Sequence, residues 1–292
     1  MNARSSREDR IRLALPNKGR LAQPAVILVR EAGFVFEQDS HQLFTPCQNY
    51  PMDLLFVRAE DIGEYAQDGV VDLGITGSNL VEEAGARVGR GLALGFGHCR
   101  LQVAVPETGQ IASLSDLDGQ VVATSHPRST AAYFKDHRLA IRLIEVNGAV
   151  EVAPLLGVAD AIVDLVATGT TLATNGLRPI ATVLESEAEL IHSLDLPPGH
   201  HHLCDHVTMM LASVIAGRGK KYLMMNAPSD ALPSIREVIP GIGSPSVMQL
   251  ADPGMVAVHA VVDAAGIWEL LAPLRDAGAS SILVLSIEQL IP

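Results

Sequence analysis

The sequence predicts an α/β protein: two lobes built on mixed sheets, followed by a smaller ferredoxin-like module. Three observations carry this. Short apolar runs alternate with longer amphipathic stretches through the first two thirds of the chain, the rhythm of sheets covered by helices. Hydrophobic residues make up 48% of the sequence but aromatics only 4%, so burial rests on Ala, Val, Ile and Leu, as is common where helices flank a sheet. The last 70 or so residues read β, α, β, β, α, β, the order of a ferredoxin-like unit.

The first lobe opens with a strand at "IRLALP" (11–16), a helix at "AVILVREAG" (25–33), a strand at "MDLLFVR" (52–58), a helix at "EDIGEYAQDG" (60–69) and a strand at "VDLGITG" (71–77). A second unit of the same type starts at "CRLQVAVP" (99–106), with a hinge expected around 95–100. It continues through "GQVVATSHPRSTAAYFKDH" (119–137) and "IRLIEVNGAVEVAPLLG" (141–157) into "DAIVDLVATGTTLATNGL" (160–177). The paired prolines and histidines of "HSLDLPPGHHHLCDHV" (192–207) break the rhythm and predict a loop or sheet edge. The stretch 207–226 reads as a helix followed by a strand. The final module runs through "KYLMMN", "LPSIREVI", "SVMQL", "MVAVHAVV", "IWELLAPLRDAG" and "SSILVLSI".

At 292 residues the chain has room for two or three domains. Lys plus Arg number 21 against 33 Asp plus Glu, a formal charge of −12, which argues against a nonspecific nucleic-acid or anionic-membrane binder. Cys47, Cys99 and Cys204 form no C-x-x-C pair and leave an odd thiol, so neither a disulfide framework nor a cysteine zinc site is indicated, and a reducing cytoplasm is expected. The polar N-terminus lacks the apolar core of a secretory signal. No apolar run approaches the roughly 20 residues of a membrane helix.

The chemistry concentrates in 160–177. "TGTT" after an apolar strand suits a phosphate monoester, because backbone N–H groups are free at a helix start and Thr hydroxyls add donors without bulk. Thr168, Gly169, Thr170 and Thr171 are the candidates, with Gly169 allowing close backbone approach. Asp164, four residues earlier, is placed to accept hydrogen bonds from vicinal sugar hydroxyls; together they describe a ribose 5-phosphate site. The same residues also read as a plain helix cap with solvated turn carboxylates at Asp160 and Asp164.

Lys18, Gly19 and Arg20 end a strand as a compact cationic turn suited to a pyrophosphate or triphosphate, or as a solvated basic turn. Arg58 and Asp72 flank further strands, and Thr76–Gly77 forms a second Thr-Gly turn that equally suits a structural cap. Thr124, Ser125 and His126 precede Pro127, a residue suited to the first turn of a helix. Glu151 is placed to position another hydroxyl, or to sit at a surface helix start.

With "ALPNKGRL", "VVDLGITGSNLVEE", "NGAVEVAPLLGVADAIVDLVATGTTLATNGL", "KYLMMNAP" and "GASSILVLSIE" in this order, the chain resembles the long-form ATP phosphoribosyltransferases of histidine biosynthesis over nearly its whole length. The resemblance implies a two-lobed catalytic region of the type II periplasmic-binding-protein kind plus a C-terminal ACT-like domain that binds histidine. Expected boundaries are 1–98 for lobe I, with 185–215 returning to it, 99–184 for lobe II and 219–292 for the regulatory domain. The implied reaction displaces pyrophosphate from phosphoribosyl pyrophosphate by N1 of ATP, with Mg2+ held mainly through substrate phosphates.

By resemblance, Asp164 and Glu151 serve the ribose, Thr168 to Thr171 the 5′-phosphate, Lys18, Gly19 and Arg20 the phosphates near the interlobe cleft, and Arg58 and Asp72 the ATP side. Asn226, Ser246, Ala279 and Ser280 are the implied histidine contacts. The resemblance also implies a homohexamer, with a dimer–hexamer equilibrium as an alternative. His126 stands where family members often carry Tyr, and Asn226 where others carry Asp or His. The cluster His200, His201, His202, Cys204 and His206 matches no zinc spacing and reads as solvated loop histidines. Two rival functions remain: a sugar-phosphate sensor that does not turn its ligand over, and a phosphoribosyltransferase for another base.

Overall fold

The computed structural model describes residues 10–37, 42–167, 169–239 and 245–291. The chain divides into two compact units, Met1–Thr208 and Met209–Pro292.

In the first unit, strand β1 (Ile11–Pro16) leads through the Lys18–Arg20 turn into helix α1 (Ala22–Glu31), whose Ala25, Val26, Leu28 and Val29 are buried. Strands β2 (Phe44–Pro46) and β3 (Met52–Val57) precede α2 (Ile62–Gln67). Strand β4 (Leu73–Gly77) runs directly into α3 (Ser78–Ala84), and β5 (Gly89–Ala93) closes the lobe. The second lobe holds β6 (Cys99–Pro106), β7 (Val121–Thr124), α4 (Pro127–Asp136), β8 (Arg142–Glu145), β9 (Ala161–Val166), the short α5 (Thr170–Thr174) and β10 (Leu177–Ser186). Strand β11 (Ala188–His192) then crosses back.

The two sheets have strand orders β2-β3-β1-β4-β11-β5 and β10-β6-β9-β7-β8. In the first, β1 is parallel to β3 and β4, while β11 pairs antiparallel with β4 and β5. In the second, β7 is parallel to β8 and β9, while β6 is antiparallel to β9 and β10. Two chain crossings join the lobes, one between β5 and β6 and one between β10 and β11. This is the two-lobed, type II periplasmic-binding-protein-like arrangement. Its mixed sheets arise because the returning strands must run against those that stay within a lobe.

Each lobe buries its sheet on both faces, which explains the unbroken apolar runs. In lobe II, Leu101, Val103 and Val105 pack with Val122, Phe134 and Val163 on one side. Ala104, Ile162, Leu172 and Leu177 pack with Val150 on the other. In lobe I, Ala14 packs with Ile62, Ala66, Val81 and Ile191.

Helix α6 (His201–Gly217) begins within the segment expected to be a loop or sheet edge. The proline pair ends at Pro198, in the turn that leads into the helix, where a missing N–H costs little. His201, His202, Cys204 and His206 therefore lie on a helix and not in a loop; the three histidines are exposed, as expected, while Cys204 is buried.

The second unit adds β12 (Lys220–Pro228), α7 (Leu232–Val238), β13 (Ser246–Gln249), β14 (Met255–Asp263), α8 (Ile267–Asp276) and β15 (Ser280–Ser286). The antiparallel sheet order β13-β14-β12-β15 is ferredoxin-like. Leu223, Met225 and Val258 pack under Ile235, Ile267 and Leu274 of the helices.

Candidate functional site

Strand register sets the neighbours of Asp164. Asp164 on β9 pairs with Gln102 on β6, and Val166 with Arg100, so these four side chains share one face of the sheet. Gln102 Nε2 donates to Thr182 Oγ1 on β10 at 3.4 Å. Asp164 Oδ1 accepts the Leu165 N–H at 2.8 Å. Burial pushes the Asp164 carboxyl above its ordinary range; the Leu165 N–H opposes that shift and nearby Glu151 adds to it. A desolvated carboxylate beside a second acid holds acceptor capacity in reserve for hydroxyl donors.

Glu151 lies on a one-turn 3-10 segment, Val150–Val152. The turn is entered through Ala149 at φ 47°, a left-handed conformation that costs a non-glycine residue on the order of 1 kcal/mol. Gly169 caps α5 at φ 80°, ψ −8°, a conformation that favours glycine. Thr170 and Thr171 open α5. Thr168 lies outside the described residues.

A cavity of about 750 Å³ opens between the lobes, lined by Ser78 and Ala93 from lobe I, His98, Cys99, Arg100, Gln102, Val166 and Gly169 from lobe II, and Ser186, Glu187 and Glu189 from the crossing segment. Its volume suits a ligand of drug to nucleotide size. Arg20 Nη2 donates to Cys99 Sγ at 2.8 Å, which brings the cationic turn to the cavity's edge. Arg58 follows β3 at the same end of the sheet, since the Asn17 N–H donates to Val57 O at 2.8 Å, and it pairs with Asp61 at 3.0 Å. Lys18, Gly19 and Arg20 are exposed.

Asp72 is not brought to this group. It precedes β4, at the opposite end of the sheet from the Lys18–Arg20 turn. Its Oδ2 accepts the Arg12 N–H at 2.7 Å and its Oδ1 binds His200 Nδ1 at 2.6 Å, with His200 buried. Asp160 sits at the far end of β9 and accepts the Val121 N–H at 2.9 Å. Thr76 is buried and donates to Ala59 O at 2.8 Å, and Thr124 donates to Val163 O at 2.7 Å; both hydroxyls hold the fold together. Cys204 is buried, its thiol pushed up to about 12 by burial, with Asp72 and Asp205 adding to the shift. His206 stacks on Tyr50 with ring centroids 5.2 Å apart. No group of three or more metal-ligating side chains occurs among the described residues.

His126 is buried and has both ring nitrogens engaged, Nδ1 with Ser125 Oγ at 3.0 Å and Nε2 with Asn79 Nδ2 at 3.2 Å. Burial lowers its pKa, Glu83 raises it and Arg20 lowers it further. Gln102, Ser186 and the glutamates at 187 and 189 belong to no motif that sequence reasoning picks out, and Asn79 lies within "VVDLGITGSNLVEE" without being singled out there. Only Gln102 leaves a trace, as the polar position in an otherwise apolar strand.

In the second unit, Asn226 pairs with Ser280 across β12 and β15, and Ser280 Oγ donates to Asn226 O at 3.3 Å. Ala279 and Ser280 line a cavity of about 770 Å³ with Trp268, Leu271 and Arg275. Ala279 is buried in the core. Ser246 pairs with His259 on β14, toward the other edge of the sheet. No helix among the described residues is long and apolar enough to cross a membrane.

A family model described as ATP phosphoribosyltransferase matches residues 58–213, and one described as the HisG C-terminal domain matches 217–289. The ATP phosphoribosyltransferase of Methanococcoides burtonii is 43% identical over 284 residues, covering 97% of this chain and 100% of that protein. That of Halobacterium salinarum is 41% identical over 283 residues, covering 96% and 100%. A solved chain of the ATP phosphoribosyl transferase (HisG:HisZ) complex from Thermotoga maritima superposes with a TM-score of 0.58 at 23% identity, covering 69% of this chain and 98% of that one, a likeness of fold.

Proposed function

Because the chain belongs to the ATP phosphoribosyltransferase family, we propose that it transfers phosphoribosyl from phosphoribosyl pyrophosphate to N1 of ATP, giving phosphoribosyl-ATP and pyrophosphate as the first step of histidine biosynthesis. The observation that carries the site is the desolvated Asp164 carboxyl, raised further by nearby Glu151, on the sheet face that continues through Gln102 and Val166 to the cavity and the Gly169 turn.

In this reading Asp164 and Glu151 accept hydrogen bonds from the ribose hydroxyls. The loop of Thr168, Gly169, Thr170 and Thr171 holds the 5′-phosphate. Lys18, Gly19, Arg20 and Arg58 take the polyphosphate charge from the lobe I side. Asp72, with both oxygens occupied at the far end of the sheet, holds the fold and not the nucleotide. The C1′–oxygen bond breaks with its electron pair leaving on pyrophosphate, and the N1 lone pair forms the new C1′–nitrogen bond. No proton has to leave N1, so no general base is assigned. The protein's contribution is alignment across the cleft and cationic stabilisation of the leaving group.

Magnesium prefers oxygen ligands and keeps several waters. The cavity offers carboxylate oxygens but no cage of three metal-ligating side chains among the described residues. Held mainly by substrate phosphate oxygens, such an ion would supply charge neutralisation on the departing pyrophosphate, and no step is assigned to a protein-bound metal.

The second unit is read as a histidine-binding regulatory domain, with Asn226, Ala279 and Ser280 near its cavity and Ser246 more distant, acting by feedback inhibition. The proposed assembly is a cytoplasmic homohexamer or a dimer in equilibrium with it. The test is product formation from Mg2+, phosphoribosyl pyrophosphate and a panel of acceptors, with pyrophosphatase present and histidine varied. ATP as the one productive acceptor, with turnover falling as histidine rises, is expected. Turnover with another base alone, or binding without turnover, would replace this reading with one of its rivals.

A further inference from the structure

Helix α3 of lobe I meets helix α4 of lobe II through two side chains one turn apart. Asn79 and Glu83 stand four residues apart on α3 and so project from one face. Glu83 Oε1 accepts the Arg128 N–H at 2.8 Å, while Oε2 accepts the Ser129 N–H at 2.9 Å and the Ser129 hydroxyl at 2.7 Å. These are first-turn groups of α4, which have no partners within the helix, and α4 carries no acid in its own first turn. The missing cap is supplied by the other lobe.

Asn79 reaches the residue that precedes α4. Ser78 Oγ donates to Ser186 Oγ at 3.0 Å, Ser186 Oγ donates to Asn79 Oδ1 at 2.8 Å, and Asn79 Nδ2 meets His126 Nε2 at 3.2 Å. Taken in that direction, the chain makes Nε2 an acceptor and leaves Nδ1–H to face Ser125. It joins lobe I, the last residue of the crossing strand β10 and lobe II, and Asn79, Ser186 and His126 are all buried. The Arg128 guanidinium lies where a Cβ on residue 85 would stand, so the glycine there lets α4 close onto α3.

We propose that Glu83 and His126 are positioning residues, an interlobe clasp that fixes the approach of the Lys18–Arg20 turn to the Asp164 strand. The inference rests on the phosphoribosyl-transfer reading for its kinetic consequence, because substrates held in halves by two lobes bind fully only in the fraction of molecules whose lobes are in register. The clasp itself is testable without turnover.

The experiment places spin labels on the full chain at Glu64→Cys in α2 and Arg142→Cys in β8, both exposed, while the three native cysteines are buried. The parent should give one narrow distance distribution without substrate, and Glu83→Ala a broadened one. Glu83→Ala should also raise KM for both substrates about tenfold with kcat changed less than about threefold, since a charged hydrogen-bond partner is lost away from the reacting atoms. Glu83→Gln, with one acceptor oxygen for two backbone N–H groups, should fall between, and it carries the test should the alanine variant not fold. Distances and KM values equal to the parent's in both variants would overturn the proposal. A parent inactive with ATP would sink the transfer reading instead, leaving the distance distributions to decide the clasp.

Discussion

Replacing Asp164 with Asn should make the protein more stable and nearly inactive. Burial raises the Asp164 pKa, so the folded state holds its proton more tightly than the unfolded chain does. For such an acid, stability is greatest at low pH and is lost as pH rises through the raised folded value. At neutral pH the wild type carries a penalty that the uncharged amide avoids. The amide oxygen still accepts the Leu165 N–H, so the strand keeps its local bond. We expect a gain of about 0.5–2 kcal/mol, the range typical where a function-driven strain is relieved, or a Tm higher by roughly 1–6 °C for a chain of this size. Catalysis should move the other way. Two charge-assisted hydrogen bonds to ribose hydroxyls are worth about 1.5–3 kcal/mol each, so kcat/KM should fall about 10²- to 10⁴-fold. Scanning calorimetry at pH 7.5 and steady-state kinetics on the same preparation would check both halves. An Asp164→Asn variant with wild-type kcat/KM, or one that is less stable and less active together, would refute the reasoning.

Arg20→Ala removes the guanidinium from the cavity edge and should lower kcat/KM about 10²-fold with little change in Tm, read from kinetics and thermal melts. Asp72→Ala should do the reverse, lowering stability by about 2–4 kcal/mol in urea unfolding because His200 and the Arg12 N–H lose their buried partner, with KM for ATP unchanged. For His126 the sign is that of a base with a depressed folded pKa: stability is complete above the unfolded value of about 6.5 and declines as pH falls from there through the folded value. Melting curves between pH 8 and pH 5 should show this decline in wild type and a smaller one in His126→Gln. The Cys204 thiol, raised to about 12, should resist iodoacetamide at pH 7.5 in the folded protein; mass spectrometry that found it alkylated as fast as a free thiol would contradict its placement.

The alternation of apolar runs made the sheets and most helices legible, because period and length are local properties. The ferredoxin-like order of the last module was legible for the same reason. Asp164 and Gly169 stand out as candidates because a strand end, an acid and a Gly-Thr turn lie within one short stretch. Asp72 was misread: next to an apolar strand it looks like any strand-end acid, and only the fold shows it at the wrong end, locked to His200 across 128 residues of sequence separation. The start of α6 was misjudged because two prolines and three histidines resemble loop composition, whereas Pro198 belongs to the turn that feeds the helix. Gln102 and Ser186 depend on strand register and on the second chain crossing, neither of which leaves a local signal. Asn79 and Glu83 share a helix face, but their partners on α4 are set by how the lobes meet.

The most direct test of the transfer reaction follows the bond it makes. Phosphoribosyl pyrophosphate labelled with carbon-13 at C1′ is mixed with ATP labelled with nitrogen-15 at N1, Mg2+ and the wild-type protein, and the product is observed by NMR. The expected spectrum shows a one-bond carbon–nitrogen coupling between C1′ and N1, growing in step with released pyrophosphate. Labelled phosphoribosyl pyrophosphate that persists, or a product whose C1′ shows no coupling to N1, would contradict the proposed transfer.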